Sequence, residues 1–171
     1  GGRARKRKGC RPRSAEARGA GSGTGKQVAG LIACGSIAAL RVTVADTERS
    51  REFYTELLGF DIAADSPPEG DAAAEAAYPV LWGGVVMIRG NLLLGLRPVA
   101  KGGDSFDEDR VGLDHLSFNV KTRAELDEAV KLFDERGIPH GPIKTLEGFG
   151  ICVLPFRDPD NVQIELTSPM G

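Results

Sequence analysis

The residues best suited to chemistry in this chain are His115 and Glu165. Imidazole and carboxylate side chains bind divalent metals and also exchange protons, so this pair suggests either a metal site or an acid–base pair. Both residues lie in residues 112–169, a stretch that repeats residues 37–98 in degraded form. An internal repeat decides the architecture and therefore takes precedence over any single motif.

The earlier copy lacks both candidate ligands. His115 follows Ala39 by 76 positions in the strand that opens each copy, and Glu165 follows Gly95 by 70 positions in the strand that closes each copy. Neither alanine nor glycine has a side-chain donor. Half of a possible four-ligand site is therefore absent from the sequence.

Length and composition indicate a soluble globular protein. The chain has 171 residues and 41% hydrophobic content, enough for one core of ordinary size or two small modules that share one. Its three cysteines are widely spaced and odd in number, which predicts a reducing compartment and a cytoplasmic location. No run approaches the roughly 18 apolar residues of a membrane span.

The formal net charge of -2 conceals a strong division along the chain. Residues 1–36 hold nine basic residues and one acidic residue, a balance of +8, whereas the remainder holds 13 basic and 23 acidic residues, a balance of -10. The acidic part would repel nucleic acid and attract a cationic ligand or partner. Nucleic-acid binding is therefore expected only through the basic segment.

Residues 1–36 predict a disordered tail, because they are rich in Gly, Ala, Arg and Lys and have no aromatic residue. A nucleic-acid or targeting arm, a lipoprotein signal ending at Cys34, and translated upstream sequence remain alternatives. The Gly-rich run that ends at Lys26 is not a phosphate loop, since Ala20 replaces the first glycine and Gln27 the hydroxyl residue.

The first copy, about residues 37–103, predicts a strand, a helix and three strands. Asp46 or Thr47 caps the helix, which ends at Gly59. The expected strands are Leu40–Val44, Phe60–Ala63, Gly84–Arg89 and Leu92–Arg97, with a polar loop to about Ala77.

The second copy, about residues 104–169, predicts the same order. Thr122 and Glu125 form a capping box that opens a helix, and Gly137 ends it. The expected strands are Asp114–Val120, Ile138–Lys144, Gly150–Phe156 and Val162–Thr167.

Three strings of residues carry a family resemblance over about residues 37–169. They are Val44 to Phe60, with Phe53-Tyr54 and Leu58-Gly59-Phe60; Gly112-Leu113-Asp114-His115; and Phe156-Arg157-Asp158-Pro159-Asp160-Asn161 with Glu165-Leu166. Together they resemble the vicinal oxygen chelate superfamily, which includes glyoxalase I, bleomycin resistance proteins, fosfomycin-modifying enzymes and extradiol dioxygenases.

The resemblance implies an α+β fold in which two βαβββ modules form a cupped, mixed and mostly antiparallel sheet. It implies a single domain over residues 37–171, and a homodimer. Family enzymes place metal ligands on the first and last strands of each module. These positions are Ala39, Gly95, His115 and Glu165 in this chain.

Two donors are fewer than the three that a catalytic metal normally takes from the protein, so ligand count favours a weakly bound divalent metal or none. His115 and Glu165 could then act as an acid–base pair, with the carboxylate holding a proton on the ring or fixing its tautomer. His140, the other histidine, is expected at the rim.

A small-molecule cavity should have apolar walls and a few polar groups. The candidates for substrate contact are Trp82, beside a glycine pair; Arg97 and Ser117, which suit an oxygen-bearing ligand; and Phe149, between two glycines. Ordinary core packing is the competing interpretation of the aromatic residues.

Two functions compete. One is a dimeric small-molecule-binding protein of the sequestration or resistance type with a degenerate metal site. The other is a metal-dependent lyase, isomerase or dioxygenase. The absent donors at Ala39 and Gly95 favour the first, and His115 and Glu165 favour the second.

Overall fold

The structure is a computed structural model that describes residues 34–66 and 84–171, together with the single residues 31, 72 and 76. The chain divides into two compact units, Gly1–Gly35 and Ser36–Gly171. Most of the expected tail and of the polar loop after Ser66 lies outside the described residues. The fold and the candidate site belong to the second unit.

The elements follow the predicted order in both modules. They are β1 (Ala39–Thr43), α1 (Thr47–Glu52), a π-helical turn (Phe53–Leu57), β2 (Asp61–Asp65), β3 (Val85–Arg89), β4 (Leu92–Arg97), β5 (Leu116–Asn119), α2 (Arg123–Arg136), β6 (Lys144–Leu146), a 3-10 turn (Glu147–Phe149), β7 (Ile151–Arg157) and β8 (Gln163–Pro169).

Each module contributes one four-stranded mixed sheet. The strand order is β1-β4-β3-β2 in module one and β5-β8-β7-β6 in module two. In both sheets the first and last strands of the module pair in parallel, and the other neighbours are antiparallel. The expected α+β fold of two modules is confirmed.

The register of the parallel pairs repeats between the modules. Arg41 lies opposite Gly95 in the first, and Ser117 lies opposite Glu165 in the second. The sequence offsets of 76 and 70 therefore relate residues at the same place in the two sheets.

Local capping explains where the helices begin. The Asp46 carboxylate accepts a hydrogen bond from the Arg49 backbone at 3.1 Å, and Thr122 and Glu125 form the predicted capping box at the start of α2. α2 ends at Gly137, whose φ of 65° is a left-handed conformation that glycine adopts without strain.

The predicted strand at Ile138–Lys144 is wrong in its position. β6 begins only at Lys144, and the preceding residues form a single bridge, between His140 and Phe156. Pro139 and Pro142 have no backbone N–H to donate, so this segment cannot sustain a ladder.

The two modules share one hydrophobic core, which lies on the helix side of both sheets. Its fully buried members include Tyr54, Met87, Leu94, Leu96, Leu126, Phe133, Leu154, Phe156 and Ile164. No helix in the described part of the chain is long and apolar enough to cross a membrane.

Candidate functional site

His115 and Glu165 meet on the face of the module-two sheet that points away from this core. His115 directly precedes β5, and Glu165 lies in β8, the parallel neighbour of β5. The distance from Nε2 of the ring to Oε2 of the carboxylate is 3.4 Å. The side chains are 38% and 17% exposed, so the pair is reachable from solvent while its carboxylate is largely enclosed.

Asp114 holds the other side of the His115 ring. Its Oδ1 lies 2.5 Å from Nδ1, which fixes the orientation of the imidazole. With a proton on Nδ1, an unprotonated Nε2 would present its lone pair to the Glu165 carboxylate. A proton, a ligand donor or a cation therefore belongs between Nε2 and Glu165.

Asp114 belongs to the motif Gly112-Leu113-Asp114-His115, but the motif did not predict a role for it in the site. Its position immediately before the histidine could have indicated a contact. However, adjacent residues of a strand normally point to opposite faces of the sheet, which argues against one. The contact arises because both residues lie in the irregular segment before β5.

Ser117 lies on the same sheet face as His115, because it follows His115 by two residues and side chains alternate between the faces of a strand. Its hydroxyl is 2.6 Å from the hydroxyl of Thr167, which belongs to β8. These two hydroxyls extend the polar strip that His115 and Glu165 begin. Thr167 was not among the predicted site residues, although its spacing of two from Glu165 places it on the same face.

The equivalent place in module one contains an arginine. A Cβ added at Gly95 would lie 3.4 Å from both Cγ and Nε of Arg41, so the Arg41 side chain passes over the glycine. Arg97 lies on the same face, two residues farther along β4. Module one therefore has arginines where module two has the hydroxyls of Ser117 and Thr167, and the Arg41 side chain also covers the counterpart of Glu165.

The donor set of the described residues does not fit a complete metal centre. They contain no group of three or more His, Cys, Asp or Glu side chains that could hold a metal ion. The 3.4 Å between Nε2 of His115 and Oε2 of Glu165 matches two neighbouring ligands of one ion at about 2.1 Å each. Ala39 and Gly95 add nothing to this pair.

Of the other predicted contact residues, Phe149 does not lie beside this pair. Trp82 lies outside the described residues. Phe149 lies on the 3-10 turn and is 80% exposed. The strand that starts two residues later, at Ile151, reaches Pro155, the partner of Glu165, only after four residues, or about 13 Å.

His140 forms an isolated bridge with Phe156 at the edge of the module-two sheet. Its Nδ1 is 3.0 Å from the Gly141 carbonyl oxygen, and its Nε2 is 3.2 Å from Asp134. These contacts raise the pKa of His140, with the Gly141 carbonyl as the larger cause. Sequence reasoning did not identify either partner.

The Asp158-to-Asn161 turn of module two has a structural role. The Asp160 carboxylate accepts hydrogen bonds from the Ala45 backbone at 3.3 Å, from Arg49 at 2.9 Å and from the Ser50 hydroxyl at 3.3 Å. The motif that carries much of the family resemblance therefore joins the modules.

The superfamily assignment is supported by a family model. The model of the Glyoxalase/Bleomycin resistance protein/Dioxygenase superfamily matches residues 36–166. This range includes both modules and all four positions discussed above. Comparison with curated proteins yields no match.

Solved structures of similar fold include several from this superfamily. A glyoxylase/bleomycin resistance protein/dioxygenase domain from Frankia sp. EAN1pec has a TM-score of 0.63 and 25% identity, covering 80% of this chain and 93% of that chain. A putative glyoxalase from Bacillus halodurans has a TM-score of 0.59 and 20% identity, covering 79% and 96%.

A genomically encoded fosfomycin resistance protein from Listeria monocytogenes has a TM-score of 0.58 and 14% identity, covering 79% of this chain and 91% of that chain. At this identity the likeness concerns the fold alone. The family model, which spans both modules, carries the assignment. The chain belongs to the glyoxalase/bleomycin resistance protein/dioxygenase superfamily.

Proposed function

We propose that the protein binds a small molecule on the polar sheet face of module two and acts by sequestration or resistance, with a degenerate metal site. The observation that carries this proposal is the pairing of His115 with Glu165 at 3.4 Å while the equivalent positions of module one hold Ala39 and Gly95. Two donors support ligand binding but fall short of a catalytic metal centre.

The chemistry of the pair favours a ligand with a hydrogen-bond donor. With Nε2 unprotonated, such a group would bridge Nε2 of His115 and the Glu165 carboxylate, because both are then acceptors. The hydroxyls of Ser117 and Thr167 can donate to or accept from a second polar group. The proposed ligand is therefore a polar, oxygen- or nitrogen-bearing compound.

Arg41 supports the choice of a binding protein over a metal enzyme. Its side chain crosses the position at which module one would need a carboxylate. A guanidinium carries a permanent positive charge and has no lone pair to offer a metal ion. Module one therefore cannot contribute a metal ligand at this position.

A metal-dependent lyase, isomerase or dioxygenase is the second candidate function. Two observations favour it: the His115 and Glu165 atoms are separated as two ligands of one ion would be, and Asp114 orients the ring from its other nitrogen. The missing donors would come from the substrate, from water or from a second copy of the chain.

We propose in addition that two copies pair through the sheet faces that carry these residues. The polar face of module two is solvent-exposed at His115, and the corresponding face of module one is exposed at Leu93, which is 38% accessible. A second copy would enclose both faces and cover sheet edges. A monomeric mass by light scattering at micromolar concentration would contradict pairing.

Metal analysis and ligand screening of the full chain test the two functions. We expect purified protein to contain no stoichiometric metal and to gain thermal stability with some polar metabolites, because a ligand that binds the folded state stabilises it. His115→Ala and Glu165→Gln should abolish that gain, whereas Glu147→Gln, on an exposed turn, should not. Stoichiometric metal that is lost on His115→Ala would favour the enzyme instead.

A further inference from the structure

A cleft lies beside Glu165, on the side away from His115. It has a volume of about 420 Å³ and is lined by residues of β6, β7, β8 and the segment before β6, among them His140, Lys144, Arg157, Gln163 and Glu165. This volume lies in the range of small-molecule sites. The cleft therefore offers room for a part of the ligand that the His115 and Glu165 pair does not reach.

The sheet register places Lys144 on the ligand-facing side. Lys144 pairs with Val153, which pairs in turn with Thr167. Directly paired residues of neighbouring strands point to the same side of a sheet. Lys144 therefore shares its face with Thr167, and with Glu165 two residues away on β8.

The wall of the cleft is firmly held. Two backbone hydrogen bonds attach the segment before β6 to β7: Gly141 donates to the Pro155 carbonyl at 2.8 Å, and Arg157 donates to the Pro139 carbonyl at 2.9 Å. A Cβ at position 141 would lie 3.0 Å from the Pro155 ring, a tight contact that glycine avoids. The basic groups are thus carried by fixed backbone.

Arg157, His140 and Glu165, which also line the cleft, each contact an ionisable side chain of the opposite type. Arg157 pairs with Glu108 at 2.5 Å, His140 contacts Asp134 at 3.2 Å, and Glu165 contacts His115 at 3.4 Å. Among the described residues, no ion pair involves Lys144. Lys144 is therefore the cationic side chain of the cleft that is left for a ligand anion.

We infer that this cleft binds an anionic oxygen-bearing group of the ligand, a carboxylate or a phosphoryl group, with Lys144 as the charged contact. The inference extends the proposed function, on which it rests, by naming the chemical class of one end of the ligand. The other end would contact the His115 and Glu165 pair. Gln163, which also lines the cleft, can donate a hydrogen bond to the same oxygen atoms.

Amide chemical-shift titrations of the full chain with inorganic phosphate and with acetate, at constant ionic strength, test the inference. We expect saturable shifts at residues 141–144 and 163–165. Lys144→Ala should weaken binding about tenfold, as expected for loss of a hydrogen bond to a charged group, and Lys144→Arg should largely restore it. The control Lys131→Ala, on the exposed side of α2, should leave the affinity unchanged.

The stronger of the two anions identifies the group as phosphoryl or carboxylate. Absent or unsaturable shifts at the cleft, or equal affinity in Lys144→Ala, would overturn the inference. Phosphate titration of His115→Ala separates the two proposals. If His115→Ala loses the stabilisation by metabolites but binds the anion as wild type does, the proposed function and the inference both stand. If no metabolite stabilises wild type while anion binding depends on Lys144, only the proposed function fails.

Discussion

The Tyr54 hydroxyl donates a hydrogen bond of 2.9 Å to the carboxylate of Asp158, and so joins the helical segment of module one to the last turn of module two. Burial raises the pKa of Asp158 even though the Val162 and Asp160 backbone amides and the Tyr54 hydroxyl donate to it. Burial, together with the charge of Asp158, likewise raises the pKa of Tyr54. A buried carboxylate is costly unless its acceptors are satisfied, so this contact supports the module junction.

Tyr54→Phe should destabilise the protein by about 1–3 kcal/mol, because it leaves one buried carboxylate oxygen of Asp158 without its side-chain donor. Urea unfolding measures the change. Asp158→Ala in both backgrounds completes a double-mutant cycle that isolates the coupling between the two side chains. A coupling energy near zero would mean that the hydrogen bond does not contribute to stability.

The Asp160 side chain should matter more than its arginine partner. Arg49 is 51% exposed at its side chain, so Arg49→Ala should cost no more than about 1 kcal/mol. Asp160→Ala should cost about 2–3 kcal/mol, because the Ala45 amide and the Ser50 hydroxyl also lose their acceptor. Thermal or urea unfolding of both variants measures the two losses of stability. Equal losses would mean that the contacts of Asp160 with the Ala45 amide and the Ser50 hydroxyl do not contribute.

Most of the fold could be predicted from the sequence because local signals and the repeat agreed. The Asp46 cap, the Thr122–Glu125 capping box and Gly137 set the helix ends, and alternating apolar residues predicted the strands. The predicted strand Ile138–Lys144 is wrong in its position, because Pro139 and Pro142 interrupt it and β6 begins only at Lys144. Two missing backbone donors decide against a ladder there.

The candidate site was less predictable, because its geometry depends on contacts between residues distant in sequence. The repeat located His115, Glu165 and the empty positions Ala39 and Gly95. It could not indicate that Arg41 crosses Gly95. The alternating pattern of β1 predicted only that Arg41 is exposed. A long side chain has several rotamers, and the sequence does not indicate which of them the arginine adopts.

Deletion of residues 1–36 should leave the melting temperature of the remainder unchanged. The reason is that the core residues in the described part of the chain belong to the unit Ser36–Gly171. Circular dichroism melts of the shortened and full chains measure this directly. Loss of cooperative unfolding in the shortened chain would show that the basic segment contributes to the fold.

His140 should make stability depend on pH near neutrality. The Gly141 carbonyl and Asp134 raise its pKa in the folded state above the ordinary value of about 6.5. The folded state therefore holds the proton more tightly, and this contribution is complete below about pH 6.5 and is lost as the pH rises through the folded-state pKa.

Because Asp134 is 71% exposed, the effect should stay below about 1 kcal/mol. Urea unfolding of wild type and His140→Gln between about pH 5.5 and 8.5 measures the difference, and it should shrink as the pH rises. Asp134→Asn, which keeps the size of the side chain, should reduce the same slope. Parallel pH profiles for wild type and His140→Gln would contradict this assignment.

Conversion of module one into a second His–Glu pair should require the removal of Arg41. Ala39→His with Gly95→Glu would place an imidazole and a carboxylate in the register that His115 and Glu165 occupy, but the new carboxylate would lie against the Arg41 side chain. An ion pair with a permanent cation would compete with a divalent metal for that carboxylate. The double variant should therefore gain little metal affinity.

Adding Arg41→Ser supplies the residue that module two has at the equivalent place, Ser117. Calorimetric titration with nickel or manganese should then show a sharp rise in affinity, accompanied by metal-dependent thermal stabilisation, because a ligand specific for the folded state raises its stability. Arg41→Ser alone is the matched control and should bind no more metal than wild type. Equal metal affinity of the double and triple variants would mean that Arg41 does not obstruct the site, and the degenerate character of module one would then rest on Ala39 and Gly95 alone.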